Sequence, residues 1–135
     1  MRIYTSDYKR TVDVGNGSLW YSVYSTAAMR LSEDDQEFLQ FAMDFLKTGE
    51  CASEDAQITA RQMELVRKRF SKIAPTDAVY DMKKLQKKAP WGSFISDSVT
   101  SCANLYTTAD GKDLFDEVIS LLKYASTKKL DTIAG

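Results

Sequence analysis

The chain has 135 residues, 44% apolar and 27% charged, with two prolines, six glycines and a formal net charge of −1. That size and balance suit one hydrophobic core and exclude a disordered, collagen-like or mucin-like chain. There is no histidine, which removes Ser-His-Asp and Cys-His nucleophile pairs, histidine-ligated zinc and imidazole acid–base work together.

Apolar runs are only a few residues long, too short to cross a bilayer. The opening residues Met1–Arg10 lack the apolar core of a signal peptide, so a cytoplasmic location is expected. Cys51 and Cys102 form no CxxC pair. Two reduced, partly buried thiols are the expectation.

In chain order, Thr11–Val14 alternates, Gly15-Asn16-Gly17 signals a turn, and Ser18–Tyr24 resumes an aromatic, β-branched run, which predicts an N-terminal β-hairpin. A helix is then expected to start at Ser32 as N-cap. It carries Glu33, Asp34 and Asp35 in its first turn, buries Phe38, Phe41, Ala42, Phe45 and Leu46, and ends at Gly49. Ser53 caps a second helix with the stripe Ala56, Met63, Val66, Phe70 and Ile73, which Pro75 stops. These two central helices should pack antiparallel. Ala78–Tyr80 reads as a short strand or a helix start, Pro90-Trp91-Gly92 as a turn, and Ser96 as the cap of a short helix. Leu105–Thr108 reads as extended, and Asp110-Gly111 as a turn. A last helix is expected over about 112–126, with a frayed tail over 130–135. The whole reads as one α+β domain, residues 1–135, with a mainly helical body.

Charge is segregated along the chain. Residues 1–60 carry five Lys/Arg and ten Asp/Glu, whereas residues 61–90 carry nine and three. The acidic stretch comprises Glu33, Asp34, Asp35, Glu37, Asp44, Glu50, Glu54 and Asp55; the basic one comprises Arg61, Arg67, Lys68, Arg69, Lys72, Lys83, Lys84, Lys87 and Lys88. Three readings compete. The two blocks face water or each other, where exposed ion pairs contribute little. The basic block (61–88) holds nucleic acid phosphates. Or the acidic face meets a basic protein, with complementary potentials speeding encounter.

No chemistry-bearing motif is assembled. There is no GxGxxG or GxxxxGK loop. Ser126–Lys129 and Lys47–Gly49 match two β-lactamase fragments, but in reversed order and without the middle one. Asp110, Asp113, Asp116 and Glu117 fail calcium-loop spacing and suit a turn and a helix N-terminus. No catalytic residue, metal ligand or cofactor is expected.

The stretch from Pro90 through Tyr106, continuing over Thr108–Phe115, resembles the C-terminal signature of the immunity protein 70 family, with looser matches over Gly17–Thr26, Ser71–Pro75 and Val79–Asp81. The resemblance implies a non-enzymatic protein that binds and neutralises a co-encoded toxin. The partner would be the C-terminal domain of a contact-dependent growth inhibition toxin or another polymorphic toxin. With the charge pattern, this leads to the expectation that Glu33–Glu37 and Asp44–Asp55 cover the basic site of a cytosol-acting nuclease. The rival expectation is nucleic-acid binding by segment 61–88.

Overall fold

Asp7, rather than the Gly15-Asn16-Gly17 triplet, organises the hairpin turn. The computed structural model describes residues 1–92 and 94–135; Ser93, inside the signature stretch, lies outside them. Strands β1 (Arg2–Thr5) and β2 (Thr11–Asp13) pair antiparallel, with Ile3 opposite Val12. Asp7 Oδ1 accepts hydrogen bonds from Thr5 Oγ1 (2.6 Å) and the Lys9 amide (3.0 Å), and Tyr8 takes a left-handed φ of 60°.

Residues 18–24, expected as the returning strand, are helical, because α1 spans Gly17–Arg30. Asn16 is its N-cap: its backbone is extended (φ −68°, ψ 132°) and its side chain accepts from the Ser18 amide at 3.0 Å. The buried face of α1 is half polar, which hid the helical period. Trp20, Val23 and Ala27 are buried beside Ser22, Ser25 and Thr26. A distant segment satisfies those hydroxyls. Ser22 Oγ and Thr26 Oγ1 donate to the Val79 carbonyl (2.8 and 3.2 Å), and Ser25 Oγ accepts from the Met82 amide (3.2 Å). The Tyr106 hydroxyl lies 3.0 Å from Ser22 Oγ and 2.9 Å from Thr26 Oγ1.

The single helix expected after Ser32 is two, α2 (Glu33–Phe38) and α3 (Gln40–Thr48), broken at Leu39 (φ −102°, ψ 30°). Ser32 caps α2 as expected, accepting from the Asp35 amide at 3.0 Å, and Gly49 closes α3 at φ +74°. Ser53 opens a 3₁₀ turn (Ser53–Asp55) instead of capping α4 (Ala56–Phe70). Contacts between α4 and α2–α3 run in opposite chain sense, as expected for an antiparallel pair. The Ala42 amide donates to Gln62 Oε1 (3.0 Å), and Arg69 pairs with Asp35 (3.2 Å).

Helix α5 (Leu114–Lys128) starts at Asp113, whose carboxylate accepts from the Asp116 amide at 3.0 Å. It runs antiparallel to α4, with Phe70 edge-on to Phe115 (5.5 Å), Arg67 paired with Asp116, and Lys123 3.0 Å from Glu64. It also lies against β1 and β2. The core joins these layers through Ile3, Phe45, Met63, Phe70, Phe115 and Leu122, all buried.

The tail expected to fray instead forms β3 (Thr132–Ala134), antiparallel to β1, so the strand order is β2-β1-β3. Cys51 and Thr132 exchange both backbone hydrogen bonds (3.0 and 2.8 Å), which pins the outer edge of that strand. Between Ala78 and Asp113 the described residues form turns and a bridge (Thr107 with Asp113) but no helix or strand. Ser96, expected to cap a helix, accepts from the Ser98 amide (3.3 Å) and closes one turn only. The architecture is α+β in one domain, and among the described residues no helix is long and apolar enough to cross a membrane.

Candidate protein-binding surface

The eight acidic residues fall into two groups at opposite ends of α3, with Asp44 exposed between them. Nine residues at the α-helical rise put roughly 13 Å between those ends. Glu33, Asp34, Asp35 and Glu37 share α2. Glu50, Glu54 and Asp55 gather at the other end, where Asp131, which sequence reasoning passed over, joins them by accepting from the Ser53 amide at 2.8 Å.

Helix α2 buries none of its residues. Polar bonds fasten it instead. Ser32 caps it, Asp35 pairs with Arg69, and Gln36 Nε2 donates to the carbonyls of Ala28 (3.0 Å) and Leu31 (2.9 Å). This leaves Glu33, Asp34, Glu37 and Phe38 exposed, Phe38 at 69% of its surface. Exposed Met29, at the end of α1, follows the Ala28 carbonyl that Gln36 holds. Phe38 was expected in the core; the break at Leu39 rotates it out and puts Leu39 in its place, buried with Ala42, Met43 and Leu46. Those four repeat at i, i+3, i+4 and i+7, a helical stripe that was present in the sequence beside the one chosen.

The basic residues are divided between α4 and the irregular segment that follows it. On α4, Arg67 and Arg69 are tied to Asp116 and Asp35. Lys83, Lys84, Lys87 and Lys88 sit apart, exposed on the irregular segment, with Lys87 Nζ 5.5 Å from the Tyr80 ring centre.

Among the described residues no group of three or more Cys, Asp and Glu is arranged to hold a metal ion. Both thiols are free. Burial pushes the Cys51 thiol up, against the lowering effect of its hydrogen bond to Thr59, and the charges of Asp55, Asp131 and Glu54 add to the rise. Burial likewise raises Cys102, to about 11. What helix α2 offers is charge and a projecting aromatic ring, Phe38.

A family model described as immunity protein 70 matches residues 3–133. No curated protein and no solved structure matches the chain.

Proposed function

The chain belongs to the immunity protein 70 family, an immunity protein of a toxin–immunity system, and from that premise we propose that α2 covers the basic active site of a nuclease-type toxin domain. The toxin is the C-terminal domain of a polymorphic toxin, such as one delivered by contact-dependent growth inhibition, and the two meet in the cytoplasm. Inhibition is by occupancy, and the reading assigns no bond-making step to this chain.

The observation that carries the reading is a helix that gives nothing to the core yet is held rigid by its cap, by Gln36 and by the Asp35–Arg69 pair. A rigid element loses little freedom on binding. Glu33, Asp34 and Glu37 supply the negative potential that steers a basic partner, and Phe38 supplies the desolvated anchor. Protection from a lethal enzyme calls for nanomolar to picomolar affinity, about −12 to −16 kcal/mol, which a few such anchors supply and bulk area does not. Asp44 and the Glu50–Asp55 group extend the same negative field along α3.

The test uses the toxin domain encoded beside the gene. Asp34→Lys with Glu37→Lys should slow association on the order of tenfold at low salt and less at high salt, with Tm moving by no more than about 2 °C. Asp35 is left alone because its reversal would break the pair with Arg69. Phe38→Ala should speed dissociation by roughly 30-fold, the scale of a hot-spot residue. Rates unchanged in both variants would remove α2 from the interface.

A further inference from the structure

We infer that the cleft beside Trp91 is a second docking element for the same toxin, receiving a carboxylate-bearing segment that inserts an apolar side chain. The cleft encloses about 450 Å³ where the end of α1, the 3₁₀ turn at Pro75–Asp77 and the irregular segment meet. Val79, Tyr80, Trp91 and Ile95 are among the residues lining it, and Arg30 and Lys87 add positive charge. Leu85, on the same wall, is 64% exposed. A cleft of this size, its walls about equally polar and apolar, accepts one or two side chains.

Charge names the occupant. Lys83, Lys84, Lys87 and Lys88 crowd into six residues of exposed chain, and among the described residues none has a carboxylate within ion-pair distance. Five of the other fourteen basic side chains have one, Arg2, Arg67, Arg69, Lys112 and Lys123, so what sets these four apart is their density along the chain. Four like charges without internal partners repel one another and gain from carboxylates brought from outside. A nucleic acid strand fits less well. The acidic helix α2 begins three residues after Arg30, so a polyphosphate leaving the cleft on that side meets like charge, and phosphates leave the apolar part of the lining, Val79, Trp91 and Ile95, unused. A protein carrying both signs, basic opposite α2 and acidic opposite the lysines, satisfies the whole face and docks in one orientation only.

This inference rests on the chain binding a toxin, and its test separates the two sites. Lys83→Glu, Lys84→Glu, Lys87→Glu and Lys88→Glu are combined in one variant; Leu85→Ser is a second. Binding to the toxin domain is measured by calorimetry at 50 and 200 mM salt, with Tm as the check on folding. The combined variant should bind at least tenfold more weakly at 50 mM salt and respond less to salt, and Leu85→Ser should bind several-fold more weakly at both. Wild-type affinity in both variants would overturn the cleft while leaving α2 untouched. Weaker binding here, with no effect of the α2 reversal, would keep the cleft and discard α2. A wild-type chain that shifts labelled single-stranded RNA, or that sediments as a dimer at micromolar concentration, with the lysine variant abolishing either, would assign the cleft to nucleic acid or to a second copy and overturn the inference. No binding of the toxin domain by the wild-type chain would end both proposals.

Discussion

Gly49 shows how one residue holds two chain ends in place. Its φ of +74° favours glycine, and an added Cβ would stand 2.7 Å from Met1 Cε and 2.9 Å from Ala134 Cβ. The methionine tip can swing aside, but Ala134 Cβ sits on β3 backbone and has nowhere to go. Gly49→Ala should therefore cost about 1–3 kcal/mol, a fall in Tm of roughly 3–10 °C; a melt superimposable on wild type would contradict this packing. The turn role of Gly49 was legible in the sequence, because a lone glycine after Lys47-Thr48 marks a helix end. Its contact with the two termini was not, since it depends on a strand 83 residues further on. Phe38 makes the opposite point. Its spacing to Phe41 and Phe45 reads as core, yet the same segment holds a second stripe one residue along, and only the kink at Leu39 decides between them.

At the level of elements, the helices with strong apolar stripes, α3, α4 and α5, were readable because burial alone fixes their period. Helix α1 was not, because Ser22, Ser25 and Thr26 stand where a stripe needs apolar residues and are tolerated only through bonds to Val79, Met82 and Tyr106. The acidic side of the candidate surface was legible as composition, but its division into two groups and the recruitment of Asp131 are tertiary facts. Helix α2 has six residues and no buried anchor, so its cap carries unusual weight. Ser32→Ala removes the acceptor for the Asp35 amide, a loss of about 1 kcal/mol felt locally. Amide exchange at Asp35 should accelerate about fivefold while global Tm barely moves, and toxin association should slow as α2 frays. Equal protection at Asp35 in both proteins would show that Gln36 and Arg69 hold the helix without the cap.

For the molecule as a whole, the pH profile follows from what is shut inside. Burial pushes the Tyr106 hydroxyl up to about 12 and the Cys102 thiol to about 11, from ordinary values of 10.0 and 9.0. The folded chain thus keeps both protons after an unfolded chain has released them, so this stabilisation is intact below about pH 9 and drains away between about pH 9 and 12. Urea unfolding at pH 8 and at pH 11 should show a clear drop in midpoint, with Tyr106→Phe falling less steeply above pH 10. A midpoint flat across that range would mean that neither group is buried as described. The strand order β2-β1-β3 has a consequence for timing. β1 is translated well before β3, and Ile3 faces Ala134 across the sheet, so one side of β1 stays bare until some 130 further residues have been translated, on the order of ten seconds at common elongation rates. Synthesis halted before Thr132 therefore leaves β1 with a single partner strand and an open edge.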